Sequence, residues 1–133
     1  MKKIIVLSFI LVAVITSSFI LSSNTQEEKG LTLEQYNEKV ANKEKIVLVY
    51  FNADWCVPCI KLEPIIEQIE SEEKERAVIL KLNVDDNKDI ATHFEINTLP
   101  QFYIYRNGKI AWQYTGILNK KELSDKINLY KYQ

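Results

Sequence analysis

Apolar and polar positions change period along the chain in a way that separates helices from strands. Leu33, Tyr36 and Val40 recur at helical spacing behind Thr32, which forms a capping box with Gln35, so a first helix is predicted over about Leu33 to Asn42. Lys45 to Phe51 is a short run of continuous apolar character and predicts a buried strand. From Cys56 to about Glu73 the pattern is helical again, with Ile60, Ile65, Ile66 and Ile69 placed to face a sheet and Glu63, Glu67, Glu70 and Lys74 to face water. Pro64 predicts a kink within it, because proline cannot donate to the preceding turn. Ala77 to Val84 reads as a second apolar strand, and Asp85-Asp86-Asn87 turns the chain into a short helix through Ile90, Ala91 and Phe94. Asn107-Gly108, between Gln101 to Arg106 and Lys109 to Tyr114, is a strong hairpin signal. Gly116 then breaks the strand, and Asn119 with Glu122 caps a last helix holding Leu123, Ile127 and Tyr130. Strand, helix, strand favours parallel pairing of the first two strands. An α/β fold is expected, with a mixed central sheet flanked by helices on both faces.

The 133 residues, 47% of them hydrophobic and 26% charged, suit one domain with its own core. Residues 1–23 have a different character: Lys2 and Lys3 precede an apolar stretch from Ile4 to Leu21, the layout of an export signal or an N-terminal membrane anchor. Small residues at Thr16 and Ser18, or Ser22 and Ser23, suit cleavage, while the length approaches the roughly 20 residues that cross a bilayer. Residues 24–30 read as a linker and 31–133 as the folded domain, which either arrangement puts outside the cytoplasm, in a periplasm or on the outer face of the membrane. The overall net charge is −1, and residues 24–133 alone carry −3, so nothing is basic enough to suggest nucleic acid as a partner.

The chemistry concentrates in Cys56-Val57-Pro58-Cys59, which holds both cysteines of the chain. With Cys56 opening a helix, one turn brings Cys59 beneath it, and the first thiol meets the positive end of the helix dipole. Unpaired N–H groups there lower a thiol pKa from about 8.5 and favour the thiolate, the nucleophile of thiol–disulfide exchange. Cys56 is therefore the expected attacker, and Cys59 the more buried thiol that resolves the mixed disulfide. Zinc would need about four ligands, and the chain offers only His93 and carboxylates beside this pair. A purely structural disulfide over so short a loop would constrain the unfolded chain little. No metal and no cofactor are expected.

These residues resemble the thioredoxin family. The matching segments are Val47-Leu48-Val49, Ala53-Asp54-Trp55-Cys56-Val57-Pro58-Cys59, Lys61, Pro64, Lys81-Leu82-Asn83-Val84-Asp85, Thr98-Leu99-Pro100, Asn107-Gly108-Lys109 and Gly116, in one collinear order over roughly residues 31 to 131. The resemblance implies a thioredoxin fold, with a first strand that is short or absent because only Lys29-Gly30-Leu31 precedes the first helix. It implies that Cys56 and Cys59 are catalytic, that Trp55 is an aromatic shoulder, and that Pro100 is a cis-proline. The Leu99 backbone would then pair with an extended substrate segment.

Two positions depart from the family pattern. Tyr50 stands where a buried aspartate is usual beneath the resolving cysteine, which takes a proton acceptor away and leaves Lys81 without its usual partner. Slower deprotonation of Cys59 is expected unless Glu63 or water takes over. Val57 stands where glycine is usual, and it offers no donor to the thiolate, which favours the reducing direction. His93 is expected to be structural, Tyr103, Tyr105, Trp112 and Tyr114 to be sheet packing, and Glu67, Glu70, Glu72, Glu73 and Glu75 to be a solvated helix face and its end. The resulting expectation is an extracytoplasmic, monomeric reductase of disulfide-containing proteins, supplied by a transmembrane thiol electron donor and touching the membrane only through its N-terminal segment. A disulfide oxidase or isomerase, and a non-catalytic binding module using the groove at Pro100, are the alternatives.

Overall fold

The computed structural model describes residues 30–131. The segment read as a signal or anchor, and the linker as far as residue 29, lie outside the described residues. Eight elements follow in order: α1 (Leu33–Val40), β1 (Ile46–Asn52), α2 (Val57–Glu73), β2 (Ala77–Asn83), α3 (Lys88–His93), β3 (Gln101–Arg106), β4 (Lys109–Thr115) and α4 (Lys120–Lys131).

Among the described residues the sheet has four strands in the order β2-β1-β3-β4, and no strand precedes α1. β1 runs parallel to β2 and antiparallel to β3, and β3 pairs antiparallel with β4. The expected hairpin forms with a two-residue loop: Arg106 pairs with Lys109, and Asn107 and Gly108 both adopt the positive φ that such a turn requires. A register shift follows at Ile104/Tyr105, where β4 bulges.

Alternation along the central strands feeds two cores. Ile46, Leu48, Tyr50, Phe102 and Ile104 join Leu62, Ile66 and Ile69 of α2 and Leu123 and Ile127 of α4 on one face. Val47, Val49, Phe51, Tyr103 and Tyr105 meet Tyr36 and Val40 of α1 and Ile90 of α3 on the other. β1 is thus buried on both faces, which explains why its sequence is continuously apolar. On the second face the phenols of Tyr36 and Tyr105 are joined by a 2.8 Å hydrogen bond, which keeps two buried polar groups satisfied.

Both capping boxes form, at Thr32–Gln35 and at Asn119–Glu122. The C-terminal carbonyls of the two long helices are met by cations from neighbouring strands or their approaches. Lys45 reaches the Lys74 carbonyl at 2.7 Å, and Arg106 reaches those of Tyr130 and Lys131 at 3.1 and 2.7 Å.

The structure corrects three expectations about α2 and its surroundings. Ile60 does not face the sheet; it is 58% exposed, and Leu62 takes the core position instead. Glu73 is not part of the solvated face but is buried, its carboxylate 2.6 Å from Arg76 Nε. Lys45 lies just before β1 rather than inside it. α2 continues through Pro64 as one element.

Gly30, the first described residue, packs closely against the corner that follows β2. A Cβ there would fall 2.0 Å from the Asp86 carbonyl oxygen, so only glycine permits this approach. Beside it the buried Asn87 side chain accepts from Leu31 N–H at 2.8 Å and donates to the Asn83 carbonyl at 2.8 Å. That amide ties the approach to α1 to the corner between β2 and α3.

Candidate active site

β1 ends at Asn52, and the next residues turn the chain into α2. Cys56 N–H bonds the Ala53 carbonyl at 3.1 Å, closing a tight turn that leaves Cys56 as the N-cap of the helix. Pro58 stands in the first helical turn, where its missing N–H costs nothing. Cys56 and Cys59 are joined by a disulfide, with Cα atoms 5.2 Å apart. The Cys59 N–H points at Cys56 Sγ at 3.3 Å, as an N-cap side chain receives an otherwise orphan donor of the first turn. When the disulfide opens, that same N–H and the helix dipole face the sulfur on which negative charge develops.

The expected contrast between the thiols does not appear in the closed disulfide. Cys56 is 4% exposed and Cys59 3%, because both side chains are turned toward one another and walled by neighbours. What distinguishes them is the groove. Cys56, with Trp55, Val57 and Pro58, lines an open cleft of about 490 Å³ whose opposite wall includes Ile96, Thr98 and Leu99, whereas Cys59 is not among the lining residues. Trp55 and Val57 are 66% and 60% exposed, so the sulfur lies at the foot of an apolar shoulder. Val57 therefore borders the approach more than it covers Cys56.

The groove is shaped from both sides. The Leu99–Pro100 peptide bond is cis, and the Pro100 carbonyl receives Gly116 N–H at 2.9 Å, which holds the loop against the end of β4. On the other rim Trp55 Nε1 donates to Asp85 at 2.9 Å and Asn83 Nδ2 donates to Asp54 at 2.9 Å. The turn carrying the cysteines is thereby fastened to the end of β2. His93, which sequence reading keeps out of the chemistry, is exposed and lies edge-on to Phe94 at 4.8 Å. Among the described residues, no group of three or more His, Cys, Asp or Glu side chains gathers as a metal site would.

Beneath the disulfide lies Tyr50, fully buried and stacked on Phe102 with ring centroids 5.1 Å apart. Its hydroxyl donates to the Cys59 carbonyl at 3.2 Å. Burial, with a smaller contribution from the Glu63 charge, pushes its pKa well above the ordinary phenol range, so it stays neutral and cannot serve as a proton acceptor near neutral pH. Lys81, the register neighbour of Tyr50 on β2, is not left without a partner: its ammonium lies 3.0 Å from Glu63 and 3.7 Å from Glu70. The hydrogen bond to Glu63 raises the Lys81 pKa, against some opposing desolvation. The sequence pattern places Glu63 on the water-facing side of the helix and offers it as a substitute acceptor. Its pairing depends on α2 packing across β2, which no local pattern reports.

A paired CxxC at a helix start, facing a groove bounded by a cis X–Pro turn, defines a thiol–disulfide oxidoreductase. The thioredoxin family model matches residues 27–129. The chain is 38% identical over 97 residues to a thioredoxin from Chlorobaculum thiosulfatiphilum, covering 73% of this chain and 90% of that protein. It is 40% identical over 89 residues to a thioredoxin from Ictalurus punctatus, covering 66% and 82%. Among solved structures, a mutant thioredoxin from Halobacterium salinarum superposes with a TM-score of 0.68 at 26% identity, over 77% of this chain and 88% of that one. The chain belongs to the thioredoxin family and is a thioredoxin-like disulfide oxidoreductase.

The Tyr50 contact is open to a direct check. Tyr50→Phe keeps the ring and the stacking on Phe102 but removes the hydroxyl donor, so the oxidised protein should lose about 1 kcal/mol in urea unfolding. An unchanged midpoint and slope would show that the hydroxyl contributes nothing to seating the helix.

Proposed function

We propose that this protein reduces protein disulfides outside the cytoplasm by cycling Cys56 and Cys59 between disulfide and dithiol. The observation that carries the reading is the bonded pair at the start of α2, with Cys56 alone of the two lining the groove. In the dithiol state Cys56 ionises at the helix tip and attacks one sulfur of a substrate disulfide. That S–S bond breaks, one substrate sulfur departs as a thiolate, and the other stays bonded to Cys56. Cys59, once deprotonated, attacks Cys56 Sγ and expels the second substrate sulfur, which restores the internal disulfide. Two electrons have passed from the pair to the substrate. The Leu99 backbone before cis Pro100 offers main-chain groups to an extended substrate segment, a mode that reads shape more than side chains.

Export is supported by Lys2-Lys3 followed by the apolar stretch Ile4 to Leu21. An oxidising compartment keeps a casual thiol pair closed, so the cycle needs electrons from a donor that crosses the membrane. Membrane contact is confined to the N-terminal segment; among the described residues no helix is long and apolar enough to cross a membrane. Both sulfurs and both groove walls come from one chain, so a monomer suffices.

With a dithiol donor the wild type should reduce insulin, and Cys56→Ser should abolish turnover; activity that survives this change would remove Cys56 from the mechanism, and an inert wild type would favour a binding module. Cys59→Ala should accumulate mixed disulfides on Cys56, visible on non-reducing gels. Redox titration should place the potential near the roughly −270 mV of thioredoxin; a value near about −120 mV would reverse the direction to oxidation. Protease applied outside the cytoplasmic membrane should digest a C-terminal epitope, whereas full protection would overturn the export.

A further inference from the structure

Resolution requires a proton to leave Cys59, yet the residue beneath it donates rather than accepts. Tyr50 spends its hydroxyl hydrogen on the Cys59 carbonyl, and its ring is fully buried. Asp85 and Asp54, on the groove rim, are engaged by Trp55 and Asn83. Another carboxylate stands one helical turn beyond Cys59 on the same side of α2. Residues four apart on a helix are neighbours, with Cβ atoms about 5–6 Å apart, and Glu63 is that neighbour of Cys59. Its carboxylate reaches the sheet, where Lys81 Nζ holds it at 3.0 Å. Lys81 is paired in register with Tyr50, so carboxylate, ammonium and phenol share the space between α2 and the β1–β2 pair. The Glu63 charge is felt at the Tyr50 phenol, and Glu67 and Glu70 are the other charges felt at Lys81.

We propose that Glu63, positioned by Lys81, takes up the Cys59 proton through intervening water during resolution, so that helix α2 supplies the carboxylate that β1 lacks at Tyr50. The inference rests on Cys59 being the resolving thiol. The Cys59 S–H proton passes to water, and a proton from that water passes to Glu63, leaving a thiolate and a neutral carboxyl group. The thiolate attacks Cys56 Sγ, and the substrate sulfur leaves with the electron pair of the broken bond. Glu63, whose side chain is 40% exposed, then returns its proton to solvent. Lys81 acts through Glu63 and is a positioning residue.

A carboxylate that acted only as a nearby negative charge would do the opposite, because it would oppose thiolate formation at Cys59. The sign of the effect therefore separates the two. Rapid mixing of the reduced protein with 5,5′-dithiobis(2-nitrobenzoate) releases one coloured thiolate when Cys56 attacks and a second when Cys59 resolves. Glu63→Gln should leave the first phase intact and slow the second by about tenfold or more near pH 7. The deficit should close as the pH rises past about 8.5, where a thiol ionises unaided. A second phase that is unchanged, faster, or slowed by the same factor at every pH would overturn the proposal. A wild type that gives no first phase would defeat the reading of Cys56 as nucleophile, an outcome distinct from any effect of Glu63.

Discussion

The seating of the first turn of α2 on the end of β1 is the constraint on which the rest of the structure depends. Three bonds hold it: Cys56 N–H to the Ala53 carbonyl, Cys59 N–H to Cys56 Sγ, and the Tyr50 hydroxyl to the Cys59 carbonyl. Each joins the strand–helix junction to a sulfur or to the backbone that carries one. β1 can serve as the base because it is central, paired on both sides and buried on both faces. The chemistry is thereby placed at the end of a central strand buried on both faces, which suits a reaction that demands alignment of three sulfurs.

Replacing a buried acid with a phenol changes what the space under the disulfide can do. A carboxylate there would need a cation or a proton to tolerate burial. Tyr50 needs neither, and it contributes ring stacking on Phe102 along with a hydrogen bond. The charge has moved outward to the Lys81–Glu63–Glu70 cluster, which retains contact with water. On the proposal made for Glu63, acid–base function and core packing, combined in one residue in the usual family pattern, would be divided here between a helix and a strand.

Much of this was legible in the sequence because it is written locally. The two capping boxes, the Asn107-Gly108 turn and the cysteine pair each specify backbone geometry within a few residues, whereas the cis bond at Pro100 is legible only through the family resemblance. What escaped depends on rotation and reach. Helical spacing shows that α2 has an apolar face but not where its edge falls, so the pattern turns Ile60 inward whereas Leu62 fills the core. Glu73 looked like its acidic neighbours, and only Arg76 together with the packing at the end of α2 accounts for its burial. The partners of Lys81 lie across the sheet–helix interface, where no sequence pattern shows them, and the two cysteines are nearly equally buried in their closed bond.

The contact between Gly30 and Asp86 carries an architectural consequence. Asp86 and Asn87 follow the end of β2 that lies alongside the end of β1 from which the cysteine turn departs, so Gly30 and Leu31 lie at the sulfur-bearing pole. A leash fastened ahead of Gly30 would pull on that pole and not on the far hairpin. Its length, and not the thickness of the body, would then govern how far the reactive bond stands from the surface to which the leash is tied.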